Sequence, residues 1–302
     1  MSSRRSRVAA GLLAVSAAVA SSACASRFSA PSTGAAQAPA AANVRVPPPT
    51  APTRRARGLT TGPIATPVRG GSQPAPSVGT GLLAGRTIML DPGHNGLTYK
   101  YPEQANALVP AGGFRKACNT TGTSTNAGYS EHAFNWALAL RTAALLRAQG
   151  AQVVLSRPDD AGVGPCVNQR AAIANSSHAL LVVSLHADGG PSTGYGFHVI
   201  EAGLAPDSGN RAFLSVSHRL ALDVRAGYRA ATGESYATYL GQQGLDQRSD
   251  LAGLNLARIP AVFIECGNMR NRADAAKLSS GEFQQRAAVG LVTAIKDFVA
   301  GR

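Results

Sequence analysis

From residue 86 onward, short apolar runs alternate along the chain with longer segments of helical pattern. Continuous apolar strands that alternate with helices are typical of a parallel sheet covered on both faces. The pattern therefore predicts an α/β fold, and about 220 residues suit a single three-layer α/β/α sandwich with a mostly parallel sheet. The predicted strands are 87–90, 152–156, 179–185, 197–200 and 261–264, and the predicted helices are 131–149, 167–177, 211–227 and 283–300.

The composition of the chain changes sharply near residue 80. Residues 1–80 hold nine Arg and no Lys, Asp or Glu, whereas residues 81–302 hold 20 basic and 16 acidic residues. The formal net charge of +13 therefore divides into +9 for the first segment and +4 for the second. A charge of +13 would by itself suggest a nucleic-acid partner. Because the predicted folded part carries so little of that charge, we expect no nucleic-acid partner.

The first 25 residues have the pattern of an export signal. Three arginines precede an apolar run of 13 residues, from Val8 to Ala20, which is too short to span a bilayer core of about 30 Å. Ala23-Cys24-Ala25 has the form of a cleavage site. We therefore expect export to the periplasm or cell wall and no transmembrane segment in the mature form. Lipidation of Cys24 stays open as an alternative.

The next segment, residues 26–80, is rich in Ala, Pro, Thr, Ser and Gly and has no apolar periodicity. Such a segment buries too little apolar surface to offset the entropy of ordering its backbone. We therefore predict a disordered linker over residues 26–80. The folded domain is expected to comprise residues 81–302.

Polar residues able to carry chemistry stand at the ends of three predicted strands. His94, His186 and Glu265 occupy these positions, and Glu131 begins a predicted helix. Sites in open α/β sheets lie outside the carboxyl ends of the strands, so these side chains are expected to converge. Two histidines and a carboxylate with an open fourth position are typical of catalytic zinc, at which a water ionises near pH 7. Glu265 would then pass a proton from water to the leaving group, although a lone histidine after a strand is more often an ordinary core or loop residue.

Three further polar residues adjoin these candidates. Asp91 and Asp188 could orient the neighbouring histidines through hydrogen bonds. His132 lies about 100° round the predicted helix from Glu131, so we do not expect it to be a second ligand.

Several segments resemble a known enzyme family. They are Met89 to His94, Ser184 to Asp188 and Pro260 to Glu265, together with Glu131 at its helix start. In this order they resemble the zinc-dependent N-acetylmuramoyl-L-alanine amidases of the amidase-3 family, of the actinobacterial or mycobacterial type. The resemblance covers about residues 86–300.

The resemblance implies specific roles for four residues. It implies that His94, Glu131 and His186 bind one zinc ion per chain and that Glu265 is the catalytic carboxylate. The implied partner is peptidoglycan or a muropeptide fragment, cleaved between the lactyl group of N-acetylmuramic acid and L-Ala of the peptide stem. It also implies a single α/β/α sandwich, and we expect a monomer. Two alternatives stay open: a zinc peptidase acting within the stem, and a wall-binding protein without turnover.

The cysteines and one long connection add two expectations. The segment between His94 and Glu131 is longer than usual in the family, so a hairpin or loop at residues 95–129 is expected beside the site. Cys118 and Cys166 both lie in loops rich in Gly, Asn and Pro and are the expected disulfide pair in an exported protein. Cys266 is expected to point to the opposite face of the sheet from the preceding Glu, as an inert thiol rather than a nucleophile.

Overall fold

A six-stranded sheet lies at the centre of the computed structural model, which describes residues 81–301. The predicted export signal, the predicted linker and Cys24 lie outside the described residues. The strands in chain order are β1 (Thr87–Pro92), β2 (Leu108–Pro110), β3 (Arg115–Ala117), β4 (Gln152–Leu155), β5 (Val182–Asp188), β6 (His198–Ala202), β7 (Leu245–Arg248) and β8 (Ala261–Asn268). Strands β2 and β3 form a separate antiparallel hairpin, and the other six form the sheet.

The sheet is mostly parallel, as predicted. Its order is β4-β1-β5-β8-β6-β7. The first four strands of this order run parallel to one another, β6 is antiparallel to β8, and β7 is parallel to β6. The carboxyl ends of β1, β5 and β8 therefore meet at one edge of the sheet, where the predicted functional residues stand.

Helices cover both faces of this sheet. They are α1 (Pro102–Asn106), α2 (Glu131–Ala148), α3 (Val167–Ser176), α4 (Leu214–Thr232), α5 (Ala252–Asn255), α6 (Arg272–Leu278) and α7 (Gly281–Ala300). Buried residues of α2, α4 and α7 pack against one face, and residues of α3 and α5 pack against the other. Along β1, Ile88 and Leu90 enter the first core while Met89 enters the second, because successive strand side chains point to opposite faces. This arrangement confirms the predicted three-layer architecture.

Some boundaries differ from the predicted ones for local reasons. The buried strand expected from residue 179 begins at Val182, and residues 211–213 form a short 3-10 turn before α4. Strand β7 was not predicted because its sequence, Leu-Asp-Gln-Arg, is largely polar. It lies at the edge of the sheet and pairs on one side only, so it needs no continuous apolar run.

The expected insertion at residues 95–129 contains α1 and the β2–β3 hairpin. A disulfide between Cys118 and Cys166 joins the end of this hairpin segment to the start of α3. The N–H of Val167 donates to the carbonyl oxygen of Cys118 at 2.8 Å, beside the disulfide. The inserted segment is thus joined to the start of α3 by the disulfide and by this hydrogen bond.

Removal of this disulfide is expected to destabilise the domain. A cross-link between residues 48 positions apart removes enough entropy from the unfolded chain to contribute about 4 kcal/mol in the chain-entropy model. The paired substitution Cys118→Ser and Cys166→Ser should lower the free energy of unfolding by about that amount, measured by urea denaturation. Reductant should destabilise the wild-type domain and leave the paired variant unchanged. Equal stability of the two proteins would contradict this expectation.

Candidate metal centre and active site

Four side chains predicted to carry chemistry come together at the carboxyl edge of the sheet. His94 follows β1, His186 lies on β5, Glu265 lies on β8 and Glu131 is the first residue of α2. The candidate ligand atoms of His94, Glu131 and His186 all lie within 4.8 Å of one another. Glu265 is the register partner of His186 on the adjacent parallel strand. The topology therefore brings a His-Glu-His group and a second carboxylate to one place.

The carboxylate of Glu131 stands between the two histidines. Its Oε1 lies 3.1 Å from His94 Nε2 and 2.9 Å from His186 Nδ1. Its Oε2 accepts a hydrogen bond of 2.9 Å from the N–H of Thr123. Burial alone would raise the pKa of Glu131, but the adjacent histidines more than offset this and hold the pKa well below its usual value. The side chain is therefore an ionised carboxylate placed to accept a cation.

The ring of His94 is oriented by the inserted segment. Its Nδ1 lies 2.8 Å from the carbonyl oxygen of Thr120, which can only accept a hydrogen bond. Nδ1 therefore donates to this carbonyl, which leaves Nε2 as the ring atom directed at Glu131 and available to a metal once its own proton is displaced. The Cβ of any residue other than glycine at Gly122 would lie 2.8 Å from both this ring and Glu131. The insertion can approach the two candidate ligands this closely only because position 122 is a glycine.

The backbone of His94 is held in an uncommon conformation. Its φ is +59°, in the left-handed region that non-glycine residues rarely adopt. Arg170 on α3 donates to the carbonyl oxygen of His94 at 2.7 Å and to the side chain of Asn95 at 2.8 Å. These contacts fix the turn that carries the ring from the end of β1 toward α2.

The ring of His186 is held by packing on both sides. It stacks on Phe263 with ring centroids 5.1 Å apart. On its other side lies Gly93, where an added Cβ would stand 2.1 Å from the ring. A glycine at position 93 is therefore required for the observed position of His186.

Glu265 is a buried carboxylate with one oxygen left unpaired within residues 81–301. Its Oε2 is buried and has no hydrogen-bond partner among the described residues. Burial, with the nearby carboxylates of Glu131 and Asp188, raises the pKa of Glu265 well above its usual value. A carboxyl group with a raised pKa is suited to accept and return a proton near neutral pH.

The prediction that Asp91 and Asp188 orient the histidines is wrong. Asp91 forms an ion pair of 2.6 Å with Arg170 and accepts hydrogen bonds from the hydroxyls of Ser156 and Ser184. Its effect on His94 passes through Arg170, and the ring itself is contacted by Thr120. Asp188 accepts a hydrogen bond from the N–H of Gly189, and its side chain also interacts with Tyr239.

Stability at acid pH is expected to depend on Asp91. Burial opposes its ionisation, but Arg170 and the two hydroxyls lower its pKa from 3.8 to about 2. Since the folded-state pKa is depressed, this group stabilises the fold above about pH 4, and the contribution is lost as the pH falls through 2. The free energy of unfolding of the wild-type protein should exceed that of the Asp91→Asn variant by about 2 kcal/mol near pH 5. Near pH 2 the difference should be less than about 1 kcal/mol. Urea denaturation at both pH values measures this, and a difference that does not depend on pH would contradict it.

Two further residues near the site, His132 and Cys266, make contacts that give them no role in the chemistry. His132 forms an ion pair of 2.7 Å with Asp160 and does not join the ligand group. Cys266 is buried in the core on the α2–α4–α7 side of the sheet, as predicted, and the Tyr228 hydroxyl donates to its carbonyl oxygen. Burial raises the pKa of the Cys266 thiol, so it is protonated at neutral pH and not a nucleophile.

A cavity of about 340 Å³ opens over the four residues. Its walls include residues that the sequence patterns did not indicate, among them Lys116 on the hairpin and Arg248 at the end of β7. Thr120 and Thr123 also line it. No motif or periodic pattern in the sequence indicated these four cavity residues. They lie in loop and edge segments whose position depends on contacts with distant parts of the chain.

The residues present fit a zinc ion. Two imidazoles and one carboxylate are the donor set of several catalytic zinc sites, and here His94 Nε2 and His186 Nδ1 both face the ionised Glu131. The buried Oε2 of Glu265, unpartnered among the described residues, adds a group that a reacting water molecule would satisfy.

Comparison with known proteins identifies the family. The model of the amidase-3 family, described as N-acetylmuramoyl-L-alanine amidase, matches residues 88–297. The chain belongs to the amidase-3 family. Within this family, it is 43% identical over 238 residues to the N-acetylmuramoyl-L-alanine amidase Rv3717 of Mycobacterium tuberculosis, covering 78% of this chain and 94% of that protein.

Solved structures of other amidase-3 proteins share the fold. The crystal structure of the N-acetylmuramyl-L-alanine amidase Ami1 from Mycobacterium smegmatis matches with a TM-score of 0.68 and 43% identity, covering 73% of this chain and 99% of that one. The apo form of Ami1 from Mycobacterium abscessus matches with a TM-score of 0.65 and 42% identity, over 71% and 98% of the two chains. These matches confirm the predicted α/β fold.

Proposed function

We propose that this chain is a zinc-dependent N-acetylmuramoyl-L-alanine amidase. It would hydrolyse the amide between the lactyl group of N-acetylmuramic acid and L-Ala of the peptidoglycan stem. The observation that carries the proposal is the convergence of His94, Glu131 and His186 within 4.8 Å, beside Glu265 in one cavity. Membership of the amidase-3 family supports the same reaction.

Three residues would hold one zinc ion per chain. They are His94, Glu131 and His186, and each is oriented by contacts of its own. Zinc bound there supplies Lewis-acid polarisation of the scissile carbonyl and lowers the pKa of a water molecule. The hydrogen bond between His94 Nδ1 and Thr120 keeps the ring in the tautomer that such binding needs.

Glu265 would move the proton. Its Oε2 accepts a proton as the water oxygen forms a bond to the scissile carbonyl carbon, and it then delivers that proton to the departing amide nitrogen. The C–N bond breaks, leaving a lactyl carboxylate on the sugar and a free amino group on L-Ala. The raised pKa of Glu265 favours the protonated carboxyl from which this second transfer occurs.

The cellular setting is part of the proposal. We propose export of a monomer to the periplasm or cell wall by residues 1–25, with residues 26–80 as a linker to the catalytic domain of residues 81–302. Wall turnover, remodelling or daughter-cell separation would then be its role. Lipid attachment at Cys24 is an alternative form of the same export.

Mass spectrometry of the products from a defined muropeptide tests the proposed reaction. The expected products are an intact N-acetylmuramic acid and a stem peptide with a free L-Ala amino group. Cleavage within the stem would indicate a peptidase instead, and absence of products would indicate a binding protein. Either result would contradict the proposal.

A further inference from the structure

Two cationic side chains form one wall of the cavity that contains the candidate active site. Lys116 comes from β3 of the inserted hairpin and Arg248 from the end of β7, and both line the cavity together with Glu265. Asp250 joins them. Lys116 Nζ donates to its backbone oxygen at 2.9 Å, and Arg248 donates to its two carboxylate oxygens at 2.8 and 2.6 Å. Lys116 and Arg248, the cationic wall, are thus linked to each other through Asp250.

The cationic wall retains positive charge and unused donors. The ammonium of Lys116 can donate three hydrogen bonds, and among the described residues its partner is a backbone carbonyl rather than a carboxylate. Arg248 uses Nε and Nη2 for Asp250, and its Nη1 makes no hydrogen bond with any residue in 81–301. Asp246 and Glu265 also act electrostatically on Arg248, so what the pair leaves to a ligand is Nη1 of Arg248 and the remaining N–H donors of Lys116.

The other side of the cavity is acidic. Glu131, Glu265 and Asp188 all line it. The charge of Arg248 reaches this side, because it lowers the pKa of Glu265 against the larger effect of burial. It also lowers the pKa of Lys116, adding to the larger effect of burial, so the two cations lie near each other. A substrate with one carboxylate near its scissile amide would be attracted to the cationic wall and repelled from the acidic side.

We propose that Lys116 and Arg248 bind a carboxylate on the peptide portion of the substrate and thereby orient the scissile amide toward Glu265. This inference rests on the proposed amidase function. In the proposed substrate, the carboxylate nearest the scissile amide on the peptide side is the α-carboxylate of the γ-linked D-glutamyl residue that follows L-Ala. The pair would therefore distinguish stems with a free α-carboxylate from stems in which that group is a carboxamide.

Two matched substrates test this selectivity directly. They are N-acetylmuramoyl-L-alanyl-γ-D-glutamyl methylamide with a free α-carboxylate and the same compound with an α-carboxamide. The wild-type enzyme, loaded with zinc, is expected to prefer the carboxylate by about tenfold in kcat/KM, since charge-assisted hydrogen bonds are replaced by neutral ones. The difference should lie mainly in KM, because the contact is made before and during the reaction.

Variants separate this contact from general effects on the enzyme. Lys116→Gln and Arg248→Gln should each reduce the preference to threefold or less, mainly by raising KM for the carboxylate substrate. Lys100→Gln is the matched control, since Lys100 belongs to the same inserted segment but does not line the cavity, and it should keep the full preference.

The outcomes distinguish this inference from the proposed function. Hydrolysis of both substrates with equal kcat/KM by the wild-type enzyme would overturn the role of the cationic wall and leave the amidase function standing. If Lys116→Gln and Arg248→Gln both kept the wild-type preference for the carboxylate substrate, the role of the cationic wall would likewise be overturned and the amidase function would stand. Failure to cleave either substrate would overturn both.

Discussion

Glu265→Gln is expected to lower the rate of muropeptide hydrolysis by about a thousandfold, a typical contribution of general acid–base catalysis. The amide of Gln has nearly the shape of the carboxyl group but cannot accept the proton of the attacking water. Because Glu265 is not among the three grouped ligand residues, zinc binding should be unchanged. Removal of a buried carboxyl whose Oε2 lacks a hydrogen-bond partner among the described residues should also leave stability equal or higher.

Single-turnover hydrolysis and zinc content together measure this variant. Glu282→Gln is a suitable control, because Glu282 is an exposed carboxylate on α7 paired with Arg286, and it should retain wild-type activity. If Glu265→Gln kept more than about a tenth of the wild-type rate, the assignment of Glu265 as the proton-transfer group would be wrong.

Glu131→Gln is expected to abolish both zinc binding and hydrolysis. The substitution replaces the ionised carboxylate between His94 and His186 with a neutral amide. Loss of a residue that only supports a metal ligand typically costs 10- to 100-fold in affinity, so loss of the ligand should cost more than about a hundredfold. Competition against a chelator of known zinc affinity measures the change.

The two glutamates should therefore behave differently. Glu131→Gln is expected to lose the metal and the activity together, whereas Glu265→Gln should lose only the activity. Wild-type zinc affinity in Glu131→Gln would show that the metal is held elsewhere, and would remove the physical basis for the proposed His-Glu-His site.

The main features of the fold follow from short-range patterns. The apolar runs at β1, β5 and β8 predict buried parallel strands, and the side-chain alternation along β8 correctly places Cys266 on the opposite face from Glu265. Because parallel strands end at a common edge, the sequence also predicts that His94, His186 and Glu265 meet. These conclusions need no knowledge of loop conformation.

The contacts that orient the site depend on long-range packing. Thr120 reaches the ring of His94 from 26 residues away, and Arg170 supports the backbone of His94 from 76 residues away. Their positions depend on the disulfide-linked insertion and on how α3 packs, and the pattern that predicts the helix at α3 does not show which distant residues its side chains contact. The cationic wall was missed for the same reason, since Lys116 and Arg248 belong to a short hairpin and a polar edge strand.

Stoichiometric restoration of activity by zinc is the most direct measurement of the central claim, that His94, Glu131 and His186 hold one catalytic zinc ion. The full protein would be stripped with a chelator, dialysed and titrated with Zn²⁺, while bound metal and cleavage of a defined muropeptide are followed together. No cleavage is expected without metal, and activity should rise linearly and saturate at one zinc ion per chain. Full activity in the metal-free protein, or saturation without any bound zinc, would contradict it.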